Sequence, residues 1–112
     1  MEVNGRLEGK DILVIELRED NLDASNVREF RDAMQSLMKD HTRVVLDMSG
    51  VRFVDSSGLG ALISCLRHVN GRKGDLHLCE LSRTVRALFE LMRMHRVFHI
   101  HENRAEAVAA FA

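Results

Sequence analysis

The hydrophobic positions of the chain change period several times, and each change predicts an element. Asp11 to Arg18, Asp-Ile-Leu-Val-Ile-Glu-Leu-Arg, is short and β-branched with charges near its ends, the pattern of a strand covered on at least one face. A first strand over Val3 to Leu7 precedes it. Asn21-Leu22-Asp23 breaks the pattern. Val27, Phe30, Met34, Leu37 and Met38 then recur at steps of three and four, which predicts an amphipathic helix over about Ala24 to Lys39. Arg43-Val44-Val45-Leu46-Asp47-Met48 is a compact apolar run, the signature of a central strand buried on both faces. After a loop at Asp55 to Gly58, the positions Leu59, Leu62, Ile63, Leu66 and Val69 trace a second helix that ends at Asn70-Gly71.

Asp75 to Cys79 reads as another strand. Ser82 is placed to cap a third helix, whose apolar side is Val85, Leu88, Phe89 and Met92. Val97 to Ile100 returns to strand, and Asn103 followed by Glu106 three residues later resembles a capping box before a short last helix with Ala105, Val108, Ala109 and Phe111. Strands alternating with helices predict an α/β domain, with a mixed sheet of about four to five strands packed with about four α-helices. Loops are short and no repeat or low-complexity stretch occurs, so residues 1–112 are expected to form one unit.

Composition narrows the function classes. With 46% hydrophobic and 29% charged residues in 112, the whole chain is expected to fold around one core. Sixteen Lys and Arg against seventeen Asp and Glu leave a net charge of −1, so no long-range field draws in polyanions, and nucleic acid is not an expected partner. Trp and Tyr are absent, which disfavours base binding by stacking. The start Met1-Glu2-Val3-Asn4-Gly5-Arg6 has no basic, apolar leader pattern and no apolar run reaches the ~20 residues of a membrane span, so the expected compartment is the cytoplasm, without direct membrane insertion. Cys65 and Cys79 lack the paired spacing of redox or zinc sites and read as small buried hydrophobes.

The segment richest in chemistry is Val51-Arg52-Phe53-Val54-Asp55-Ser56-Ser57-Gly58-Leu59-Gly60. It sets two hydroxyls and a carboxylate where the second helix starts, and free N–H groups and the helix dipole at such a start stabilise an added phosphate. Gly58 and Gly60 remove side chains near the hydroxyls and so admit a partner's backbone or active site. The plain alternative is that Ser56 or Ser57 only caps the helix and the glycines only serve a turn.

The stretch from Val44 through Gly60, with Leu22-Asp23 ahead of the first helix and Leu88-Phe89-Glu90-Leu91-Met92 in the third, resembles the anti-sigma factor antagonists of the STAS domain family. The resemblance implies a STAS-like fold. It also implies that Ser56 is the phosphate acceptor and Ser57 its supporting neighbour, and that Asp23 and Asp55 lie beside the acceptor. Partner binding would fall on Asp23, Asp55, Ser56, Ser57, Gly58, Leu59 and Gly60. The implied partners are an anti-sigma factor that is also a serine kinase, bound by the unphosphorylated form so that the sigma factor is released, and a serine phosphatase of the metal-dependent type. The chain itself would be no enzyme and need no cofactor, in keeping with the lack of a Gly-rich phosphate cradle followed by Lys. The family also supplies accessory subunits of membrane lipid transporters and components of larger signalling assemblies, and a nucleotide-binding module is a further alternative.

Other features read more simply. His99 and His101 alternate along a strand, an arrangement that in some proteins holds zinc. With no further ligand at suitable spacing they read as surface residues, and no metal site is assigned. His41, His68, His77 and His95 are scattered. Arg83, Arg86 and Arg93 read as a solvated face of the third helix, and the methionines mostly as core.

Overall fold

Arg43–Asp47 (β4) is the middle strand of a five-stranded sheet in the computed structural model, which describes residues 1–111. Before it come β1 (Val3–Glu8), β2 (Ile12–Leu17), the two-residue β3 (Asn21–Leu22) and helix α1 (Val27–Met38). After it come β5 (Phe53–Val54), α2 (Ser56–Asn70), β6 (Asp75–Cys79), α3 (Arg83–Leu91), a 3-10 turn at Met94–Arg96, β7 (His99–His101) and α4 (Arg104–Ala109). The sheet order is β1-β2-β4-β6-β7, antiparallel between β1 and β2 and parallel elsewhere. The β1–β2 hairpin turns at Gly9, whose φ of 66° suits a residue without Cβ.

Successive residues of a strand point to opposite faces, and here the two faces receive different cover. Leu13, Ile15 and Leu17 of β2, Val44 and Leu46 of β4 and Leu76 and Leu78 of β6 pack with buried residues of α1, α2 and α3 in the main core. Ile12, Val14, Val45 and Cys79 face the other way, under Ala107, Val108 and Phe111 at the C-terminal end. Arg104 fastens α4 to this second face. Its guanidinium donates to Asp47 Oδ2 at 2.6 and 3.1 Å and to Glu16 Oε2 at 2.6 Å, and its pKa is driven up chiefly by the hydrogen bond to Asp47. Both cysteines are free and buried, with their thiols pushed up by burial to about 11 for Cys65 and about 12 for Cys79, so neither is a reactive thiolate.

Several boundaries differ from the sequence expectation for local reasons. Helix α1 starts at Val27 because Asp23 to Asn26 closes a turn, in which Asn26 N and Val27 N both donate to the Asp23 carbonyl. Strand β7 starts at His99 because Val97 N and Phe98 N donate to the Met94 carbonyl and finish the 3-10 turn. Met92 caps α3 and is 43% exposed, so it lies outside the apolar stripe assigned to it. Arg93 lies beyond the end of α3, while Arg86 pairs with Glu102 at 3.0 Å.

Candidate functional site

The Asp55–Gly60 segment is not a loop followed by a helix; helix α2 already starts at Ser56. Its N-cap is Asp55, whose Oδ1 accepts from Gly58 N at 2.8 Å. This settles the plain alternative for the serines. With the capping role taken by the aspartate, neither serine is the cap, and among the described residues neither hydroxyl has a hydrogen-bond partner. Ser56 is exposed and Ser57 half-buried. The backbone N–H groups of Ser56 and Ser57 are likewise without acceptors among the described residues, the usual state of a helix's first turn. Apart from the cap there is no acidic residue in that turn, and Arg67 and His68 sit in the last one, so the charges follow the helix dipole.

Asp55 also ties the helix start to a second segment. Its Oδ2 accepts from Ala24 N at 3.2 Å, and Asp55 N donates to the Leu22 carbonyl. The short β3–β5 ladder pairs Asn21 with Phe53 and Leu22 with Val54. The Asp23 turn is thereby held against the Asp55–Ser56 corner. Asp23 spends its own carboxylate inside that turn: Oδ1 accepts from Ser25 N and Ser25 Oγ, and Oδ2 accepts from Asn21 Nδ2 at 2.8 Å. The Ser25 hydrogen bonds, side chain first, hold its pKa below the usual carboxylate value. No hydrogen bond joins Asp23 to Ser56 among the described residues.

The two glycines have different reasons. A Cβ at Gly58 would collide with the Leu22 carbonyl, so the close packing of α2 against the backbone of β3 is by itself reason for glycine at this position. At Gly60 a Cβ would meet nothing within 4 Å. Gly60 opens instead onto a shallow groove of about 410 Å³, lined also by Ser56, Ser57, Val27, Arg28 and Arg31. Leu59 is buried in the main core and is not available to a partner. Arg28 and Arg31 were not among the expected site residues. Their three-residue spacing on one side of α1 was visible in the sequence, but only the packing of α1 beside α2 brings them to the serines. Phe53, 54% exposed on β5, adds an apolar side chain near the corner.

With this geometry in view, the comparisons agree on one family. The STAS domain model matches residues 7–107, and the chain belongs to the STAS domain family. A candidate anti-sigma factor antagonist, BtrV of Bordetella bronchiseptica, is 34% identical over 73 residues, which cover 65% of this chain and 63% of that protein; the match thus spans less than two thirds of the relative. Among solved structures, the Bacillus anti-sigma factor antagonist SpoIIAA is similar in its unphosphorylated form (TM-score 0.70, 97% of this chain and 96% of that one) and in its phosphorylated form (0.71, 99% and 100%), each at 20% identity. A part of the murine anion transporter Slc26a9 has the same fold, with TM-score 0.75 and 22% identity, covering 92% of this chain but 18% of that one. At these identities the structures speak for the fold alone. No helix among the described residues is long and apolar enough to cross a membrane.

Proposed function

We propose that the chain is an anti-sigma factor antagonist, a single STAS unit over residues 1–112 that acts by binding and not by catalysis. Ser56 is its phosphate acceptor. The unphosphorylated form docks on a cytoplasmic anti-sigma factor that is also a serine kinase; transfer of the γ-phosphoryl group of ATP to Ser56 Oγ, with release of ADP, ends the interaction, and a metal-dependent serine phosphatase restores it. The observation that carries this reading is that Asp55 caps α2, which leaves the Ser56 hydroxyl exposed and unpartnered at the first helical position. A hydroxyl needed for the cap would be a poor substrate; this one is free to react.

The switch follows from charge. A phosphate adds about −1.5 to −2 charges beside Asp55. Within the chain that charge is offset by the open N–H groups of α2 and by Arg28 and Arg31 across the groove, so the domain stays folded. At an interface fitted to a neutral hydroxyl the same charge costs several kcal/mol, and a loss of about 3–4 kcal/mol weakens binding several-hundred-fold. Docking is proposed over Asp23, Asp55, Ser56, Ser57, Gly60 and the rim formed by Arg28 and Arg31.

Incubation with the partner kinase and ATP should add one phosphate by intact mass. Ser56→Ala should take up none and Ser57→Ala should still be labelled. Labelling of Ser56→Ala at the wild-type rate would move the acceptor elsewhere. A docking role inside a transporter or a larger assembly would instead leave the wild-type chain unlabelled while it still binds its partner.

A further inference from the structure

Parallel pairing of β6 with β7 sets His99 directly beside His77 on the second face of the sheet, and alternation along β6 puts Asp75 on the same side. The three side chains converge. His77 Nε2 lies 3.3 Å and His99 Nε2 3.4 Å from Asp75 Oδ2, and one ligand-type atom from each residue lies within 4.8 Å of the other two. A tetrahedral zinc ion with bonds of about 2.0–2.1 Å needs ligand atoms about 3.3–3.4 Å apart, so two of the three edges already have the required length.

The surroundings match what a metal-bound imidazole requires. Such a ring keeps its orientation by donating its other N–H to a fixed acceptor, and His77 Nδ1 stands 3.0 Å from His101 Nε2. Phe111 stacks on the His77 ring with centroids 4.1 Å apart, which helps to hold the ring plane. His77 is buried, whereas the His99 side chain is 66% exposed and leaves a path from solvent. Two imidazoles and one carboxylate suit zinc and its neighbours, not magnesium or calcium, which favour all-oxygen sites.

We propose that Asp75, His77 and His99 bind a zinc-class divalent ion, with water in the fourth position and His101 as the positioning partner of His77. The ion ties the three-residue edge strand β7 to β6. The site stands apart from the Ser56 corner and does not depend on its role.

The test is titration of the purified chain with zinc sulfate in competition with a chromogenic chelator, alongside melting with zinc and with EDTA. One equivalent should bind saturably and raise the melting temperature, with EDTA reversing the rise. His99→Ala alters an exposed side chain and should keep the wild-type circular dichroism while losing affinity by at least about tenfold. His68→Ala, on the exposed side of α2, and Ser56→Ala should bind zinc as the wild type does. Absence of saturable uptake, or one-equivalent binding unchanged in both His99→Ala and Asp75→Asn, would overturn the proposal.

Discussion

The two faces of the central sheet are built from the same strands yet held in different ways. On the first, three helices cover an apolar surface in which Phe30, Met34, Leu62 and Phe89 are fully buried. On the second, a single six-residue helix covers a smaller apolar patch, and around it lie Glu16, Asp47, Asp75, His77, His99 and His101. The first face is held by area removed from water, which is non-directional and tolerates no polar group without a partner. The second is held by directed contacts, above all the Arg104 fork on Asp47 and Glu16. Thick cover leaves room only for packing; thin cover leaves titratable groups near solvent, where they can bind something. The Ser56 corner follows a third logic. It belongs to the well-covered face but sits at the junction of strand and helix, where backbone donors are unpaired because of geometry and not because of missing cover.

The largest effect should come from the first face. Phe30→Ala removes a side chain that is wholly buried in α1 and should cost about 4 kcal/mol, measured by urea unfolding. A cost under about 1 kcal/mol would mean that this face collapses around the cavity and is looser than its burial indicates. Next comes Arg104→Met, which keeps the stem of the side chain and removes the charge. It leaves Asp47, only 4% exposed, with the Ser49 N–H on Oδ1 but without its cationic partner on Oδ2, and should cost about 3 kcal/mol. The double variant Arg104→Met with Asp47→Asn should recover part of this loss, because the orphaned charge is then gone. If the single substitution were neutral, the second face would be held by its apolar patch alone and the contrast between the faces would disappear.

How much of this was legible in the sequence depends on how local the cause is. The central strand, the three amphipathic helices, the Ser82 cap and the Asn103–Glu106 pair all stood in the pattern, since each rests on neighbours within one turn or one strand; Ser82 Oγ accepts from Val85 N and Asn103 Oδ1 from Glu106 N. The apolar periodicity alone starts α2 after Gly58, because Ser56-Ser57-Gly58 carries no apolar signal, and the chemistry of the segment places the start at the serines without deciding the cap, since Asp55 competes with two equally plausible serine caps. The reason for Gly58 was hidden because the Leu22 carbonyl that excludes a Cβ lies 36 positions earlier. The histidine cluster was hidden in the same way: His77 looked scattered because the register that sets it beside His99 is a tertiary fact. The family's motif, in contrast, was readable as it stood, because Asp55-Ser56-Ser57-Gly58 is contiguous.

The smallest effect concerns Asp23, where the comparison turns on a charge at the surface. Asp23 is not the cap of α1; that position is Asn26, and Asp23 instead organises the turn before it. Hydrogen bonds from Ser25 and Asn21 favour the ionised form, so the folded pKa lies below the ordinary 3.8. The sign follows: the contribution is complete above 3.8, where the carboxylate is ionised in both states, and is lost as the pH falls through the lower folded value, where the folded chain must take up the proton as well. Asp23→Asn should therefore melt close to the wild type at neutral pH, with one oxygen still able to accept from Ser25, and should show a shallower loss of stability below about pH 4. Because the Asp23 turn is held against the Asp55–Ser56 corner through Ala24, removal of its charge should also slow phosphate transfer to Ser56 if a kinase reads this surface. A variant with wild-type phosphorylation kinetics and an altered acid limb would confine Asp23 to shaping the turn and leave Asp55 as the acidic member of the corner.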